Sequence, residues 1–496
     1  MTKYDDTSMS GSAGGADSAE NAPSGAASVE LGNLDVSLRT SRRRLLLAVL
    51  AVCVVAGAAY GISYFRGRPD PIREIFAAQI PGWQLQRGKG WIPAGGAEIL
   101  AMQSALRRYP EVSSALGRLD AAYPDPAAVK TAGQGLSDAL FASHLPYYLD
   151  PQPIQKKTIL LSYSVVGQAT WSAGPRSILV RRLLRLDKLN VEIEFLGQTG
   201  SERSIVFLDR IESSLINDLL DAAGKRKESS RRRSLTDADH AALYELRRAL
   251  AVRVGEAALD SLVAALTARD EAFETMRRRL HGGKVRIEKP DSFVFGDAWF
   301  ESLWPLSSLQ NPGGPLILDT DLRAVETADA QLRTREATTA INTLVDVMAL
   351  GTEAHEARHA FAAADSGHPP DAAPPAAHPV PDALAALVGD DPDFAVKADG
   401  ELRAYLGEIH DASSAPCFSI VQGIRQVRGR YVPRTPHFFA QFLILGRLGG
   451  DAALADPVGL VHRLCAEPAP DLRARAAALW KDLYGSEMVP ARREPR

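Results

Sequence analysis

The stretch His355-Glu356-Ala357-Arg358-His359 constrains the fold more than any other. Two histidines four residues apart point the same way on a helix, where one turn sets them side by side. At that spacing both imidazoles can reach one metal ion. Glu356 then lies about 100° round the helix from His355, placed to handle the proton of a coordinated water. A chain using this pattern must bury a helix with one polar face turned to a cleft. It must also bring a third ligand from elsewhere in the sequence. By chance the pattern is expected roughly 0.01 times in a chain of this length.

The surrounding sequence fits that demand. From about Thr338 to Ala364 the spacing predicts a long helix, with Ile341, Leu344, Val345, Met348, Thr352, His355 and His359 on or near one face. Before it, "PLILDTD" (Pro315 to Asp321) follows a Pro-Gly-Gly break and reads as a short apolar strand. After it, the Pro/Ala-rich segment Asp365 to Asp382 reads as loop. "DGELRAYLGEIHDA" (Asp399 to Ala412) returns to helix, with Glu401 and Glu408 seven residues apart and so on one side.

On these residues the chain resembles the zincin metallopeptidases, whose signature is H-E-x-x-H on the active-site helix. Thr352 and Phe361 match the flanking preferences, whereas Glu353 and Arg358 are charged where that family is usually uncharged. The resemblance covers roughly residues 314–412. Ala362 and Asp365 exclude the extended form with a further glycine and third histidine. Glu401, with Ala404 and Tyr405, is similar to the pattern around the third ligand of glutamate-type zincins.

The resemblance implies zinc as cofactor, held by His355, His359 and Glu401. Glu408, Asp365, His368, His378 and His410 are the other candidates for the third ligand. It implies Glu356 as general base and an electrophilic group beside the substrate oxygen. Tyr405 is the choice for that group, with His410, Tyr431 and His437 as alternatives. An edge strand beside the active-site helix is expected to hold an extended substrate, and "PLILDTD" is placed for it. The implied activity is hydrolysis of peptide bonds in a peptide or protein substrate. The rival reading is a non-catalytic envelope binding protein with a metallopeptidase-like fold, which the charged Glu353 and Arg358 favour.

A second strong constraint lies near the N-terminus. Leu45 to Phe65 carries no charge, and about 20 apolar residues span a bilayer core. Arg42, Arg43 and Arg44 precede the run, and Tyr60, Tyr64 and Phe65 sit near its far end. The run predicts a single uncleaved anchor in the inner (cell) membrane. The C-terminal part would then be periplasmic or extracellular, with envelope-associated substrates among its targets. The formal net charge of -3 gives no nucleic-acid footprint. Three cysteines exclude a disulfide-rich scaffold and a four-cysteine zinc site. Cys417 and Cys465 pair only if the fold brings them close. Neither a phosphate-binding glycine loop nor a G-x-S-x-G elbow occurs.

The expected fold class is α+β and mostly helical, with a small antiparallel sheet region and a C-terminal zincin-like metallopeptidase domain. Residues 1–40 are polar and small and read as a disordered tail, followed by the anchor at 41–66. A helical juxtamembrane region spans 67–150, a β-rich region 151–212 and a helical region 213–282. The zincin-like catalytic domain spans 283–490. "TILLSYSVVG", "SILVRRLLRL", "NVEIEFLG" and "RSIVFLDR" are predicted strands, and "GQTGS" is a hairpin turn signal. "KVRIEKPDSFVF" reads as strand, turn, strand, and the basic run Lys225 to Arg233 as a solvated loop.

Overall fold

Prolines punctuate the first helices, because proline is tolerated in a first turn whose N–H groups have no helical partner. The computed structural model describes residues 70–154, 157–187, 189, 196–199, 204–224, 234–281, 319–366, 379–411, 415–429, 434–450 and 454–495. The described elements belong to the unit Pro71–Arg496. Helix α1 (Pro71–Glu74) runs through a π-helical turn (Ile75–Gln79) into α2 (Ile80–Gly88). Then come α3 (Ala97–Ala105), α4 (Pro110–Ala122) and α5 (Pro126–Ala142), the last capped by Asp125. They bury Phe76, Trp83, Met102, Leu116 and Leu136 against the start of the sheet.

The sheet comprises β1 (Tyr147–Ile154), β2 (Lys157–Ala173), β3 (Arg176–Arg185), β4 (Gly197–Thr199) and β5 (Ser204–Phe207). Its order is β1-β2-β3-β5-β4, so β4 is an edge strand. The β1–β2, β2–β3 and β4–β5 pairs are antiparallel, and β3–β5 is parallel. The expected all-antiparallel sheet is therefore corrected to a mixed one. Between β3 and β5 the chain runs through the edge strand β4, antiparallel to β5, which brings β5 back beside β3 in the parallel direction. A C-terminal strand, β6 (Arg492–Pro495), pairs with the second half of β2.

Helices make up the remainder: α6 (Leu208–Ala222), α7 (Asp237–Val254), α8 (Glu256–His281), α9 (Asp319–Leu332), α10 (Arg335–Ser366), α11 (Asp382–Val388), α12 (Pro392–Asp411), α13 (Pro416–Arg428), α14 (Pro436–Gly449), α15 (Pro457–Ala466) and α16 (Ala469–Tyr484). The Thr236 start signal is a capping box with Asp239. The long helix α10 buries Ile341, Leu344, Ala349 and Ala357 and lies against β3, β4, β5 and α12. Helices over a small mixed sheet make an α+β fold.

Several expectations are corrected or fall elsewhere. Among the described residues no helix is long and apolar enough to cross a membrane. The long helices α8 and α10 carry charges along their whole length. The run Leu45–Phe65 lies outside the described residues. The single-pass inner-membrane placement, with a periplasmic or extracellular C-terminal part, is therefore not carried forward. Of "PLILDTD", residues 315–318 lie outside the described residues, while Asp319 to Asp321 open α9 instead of ending a strand. The stretches 190–195, 225–233, 283–294 and 367–378, with their predicted strands and loops, also lie outside them. Cys417 on α13 and Cys465 on α15 form a disulfide, with Cα atoms 4.9 Å apart.

Candidate metal centre

Two helices supply the core of the site. Helix α10 presents His355 and His359 one turn apart, and α12 presents Glu401, Tyr405 and Glu408 at four- and seven-residue steps on one face. A third helix contributes His437. Thr435 caps α14 by accepting from the Phe438 amide at 3.2 Å, and Pro436 follows in the first turn. That cap sets His437 at the start of α14, facing Glu401.

The ligand-type atoms converge. His355 Nε2 and His359 Nε2 are 3.2 Å apart, and Glu401 Oε2 is 3.3 Å from the first and 3.5 Å from the second. Donors bonded to zinc at about 2.0–2.1 Å in a tetrahedron stand about 3.3 Å from one another, so this triangle has the size of one tetrahedral face. Among the described residues, these three form the group able to share an ion. Glu401 Oε2 is buried and also lies 2.8 Å from His437 Nδ1, yet no neighbour gives it an aligned hydrogen bond. A buried carboxylate oxygen ringed by imidazole nitrogens and left without a donor suits a cation. The donor set fits zinc.

Electrostatics follow from the same crowding. Burial opposes ionisation of Glu401, but the facing His359, His355 and His437 rings outweigh it and hold its carboxyl well below the usual range. Burial pulls His355 down, but the contacts with Glu401 and Glu408 and the nearby Glu356 charge push it up to about 10. Burial, reinforced by Glu401, raises the Tyr405 phenol well above its ordinary value, so it is a neutral donor at pH 7. The Tyr405 ring sits 4.6 Å from the His355 ring, and its hydroxyl is 3.1 Å from His437 Nδ1.

The other candidates sort by position. Glu408 stands behind His355: its Oε2 is 3.3 Å from His355 Nδ1, on the far side of the ring from Glu401. His410 pairs with Asp411 at 2.6 Å, away from the triangle. Tyr431, His368 and His378 lie outside the described residues, and the side chain of Asp365 is likewise not described.

Glu356 is buried against the sheet edge. Thr199 Oγ1 donates to its Oε2 at 2.7 Å, and Ser204 Oγ donates to its main-chain oxygen at 3.2 Å. A Cβ on Gly197 would come within 2.6 Å of the Glu356 side chain, so a glycine there lets the strand approach. Among the described residues the edge strand beside the helix is thus β4, in the stretch expected to be a turn. Gly197, Thr199 and the outer role of Glu408 were missed. A period-two reading extended through "GQTGS" was the available signal for β4.

Glu353 and Arg358 point away from the triangle. Glu353 is fully buried and accepts from Trp171 Nε1 at 3.1 Å, from Arg493 Nε at 2.6 Å and from Arg182. Arg358 donates to Asp411 Oδ2 at 2.6 Å and to the Val489 carbonyl at 2.8 Å. Gly407 lacks the Cβ that would block the Arg358 side chain where it crosses α12. The Ala491 amide donates to Asp411 Oδ1 at 3.1 Å, so the segment from Val489 to Arg493 engages both departures from the zincin pattern.

In comparison with known proteins, the chain matches no family model, no curated protein and no solved structure.

Proposed function

We propose that the protein is a zinc-dependent peptidase of zincin type, with His355, His359 and Glu401 as the zinc ligands. The observation that carries this reading is the ligand triangle with its donorless Glu401 oxygen. A zinc ion held there supplies Lewis acidity, which polarises a carbonyl and acidifies water. The chain's own groups do the remainder. Glu356 takes the proton of the attacking water, with Thr199 orienting its carboxylate. Tyr405, kept neutral by burial, donates to the oxygen that gains charge. Glu408 stands behind the His355 ring at 3.3 Å from Nδ1, where outer carboxylates commonly orient metal-binding imidazoles. Glu353 and Arg358 act as braces on the helix and leave the metal face intact.

The purified protein is expected to bind one zinc ion and to cut peptides in a mixed library. Glu356→Gln should keep the zinc and lose hydrolysis by at least the ~100-fold typical of removing a general base. Full hydrolysis in that variant would remove Glu356 from its role. Stoichiometric zinc with no cleavage by the wild type would favour the non-catalytic binding protein instead.

A further inference from the structure

His355 is held from behind by a chain of contacts that ends in the disulfide. Glu408 Oε2 faces His355 Nδ1 at 3.3 Å, and its Oε1 accepts from Ser419 Oγ at 2.6 Å. Ser419 is 1% exposed and lies in the second turn of α13. The start of that helix is set by Pro416 in its first turn, without a side-chain cap. Its N-cap, Ala415, offers no side-chain bond to the free amides of the first turn. Two residues before Ser419, Cys417 is joined to Cys465 across 48 residues of sequence. The disulfide therefore ties the first turn of α13 to α15, and Ser419 follows directly.

We infer that Ser419 is a positioning residue for the metal group, and that the Cys417–Cys465 bridge is the tether that keeps its hydroxyl on Glu408. This inference rests on the zinc reading above. Glu408 is largely buried, and Ser419 is the hydroxyl that fixes one of its oxygens while the other faces the imidazole. Without that donor the carboxylate is free to rotate, and its charge leaves the place 3.3 Å behind His355 Nδ1, a ring nitrogen with no other partner there. Loss of such outer partners commonly weakens metal binding by about 10–100-fold. The bridge acts one step further out, through the placement of Ser419.

The test is zinc affinity of the full chain, measured with zinc alone against a competing chelator. Folding of each variant is followed by thermal unfolding in the metal-free state. Ser419→Ala should weaken zinc binding by about tenfold or more, with little change in the unfolding midpoint. Ser419→Thr keeps the hydroxyl and should bind as the wild type does. The double replacement Cys417→Ser with Cys465→Ser should lower the unfolding midpoint, as loss of a cross-link does. It should also weaken zinc binding in the same direction as Ser419→Ala. Combining all three changes should cost no more zinc affinity than the larger of the two alone, because both act through one contact. Wild-type affinity in Ser419→Ala, or full additivity with the cysteine pair, would overturn the inference. A wild-type chain that binds no zinc would instead overturn the zinc reading, and this inference with it.

Discussion

Glu353, on the sheet side of α10, is fully buried, and Glu401, facing the histidine side, is largely so, yet their partners differ in kind. Glu353 is met by two guanidinium groups, Arg182 and Arg493, and by the Trp171 indole. Those are permanent donors with fixed geometry, and they satisfy the carboxylate outright. Glu401 is met by three imidazoles, and its Oε2 receives no aligned hydrogen bond. One side of the helix is closed electrostatically, and the other is left able to take a cation. Asp150 on β1 shows the third outcome. It is 3% exposed, the Gln152 amide donates to it, and burial raises its carboxyl to about 6. A buried carboxylate thus pairs with arginine, waits among imidazoles, or holds its proton to a higher pH.

The sharpest way to break this comparison is Glu353→Ala. It leaves Arg182 and Arg493 without their shared partner and should cost about 3 kcal/mol, the low end for breaking a buried pair. The low end applies because Arg182 keeps Asp346 and Arg493 is partly exposed. Denaturant unfolding measures it, and an unchanged midpoint would show that the brace contributes nothing. Next in size is Glu401→Ala, which should weaken zinc binding by more than the ~100-fold upper range of outer-partner losses. Unfolding of the metal-free chain should weaken less than in Glu353→Ala, since His355 keeps Glu408 and an imidazole, unlike a guanidinium, can release its proton. Equal losses of stability and zinc affinity would contradict the contrast drawn between the two sides.

The smallest effect belongs to Asp150→Asn and is read as a pH slope. The folded value of about 6 lies above the ordinary 3.8, so the native state keeps its proton longer than the unfolded chain. Stability should therefore fall as pH rises from about 4 to about 6 and level off above that, by about 1–3 kcal/mol for this group. Asp209 is raised to about 6 by burial as well, so the substitution should reduce the slope without abolishing it. An identical slope in the variant, from thermal unfolding across that range, would mean that Asp150 titrates normally.

Much of the histidine side was legible because its signals are local. His355, His359 and Glu356 are fixed by helical spacing, and Glu401 and Tyr405 by the helix after the Pro/Ala stretch. The strands β2, β3 and β5 were legible from short apolar runs. What could not be read depends on distance in the chain. Glu353 and Arg358 looked like intrusions because Arg182 is 171 residues from Glu353 and Val489 is 131 from Arg358. Nothing near them in sequence announces those partners. Strand β4 escaped because its glycine and polar residues carry turn chemistry, although pairing with β5 and close approach to Glu356 make them strand. β6, with its "RREP" sequence, has no strand propensity of its own and forms because β2 offers it a free edge.

The brace from Val489 to Arg493 also sets an order of events in the making of the protein. The histidines leave the ribosome long before Arg493, which lies 140 residues beyond Glu353. Until that arginine and strand β6 arrive, Glu353 lacks one of its two cations and Arg358 lacks its carbonyl. The helix that carries the histidines gains its full support only once the segment from Val489 to Arg493 has emerged.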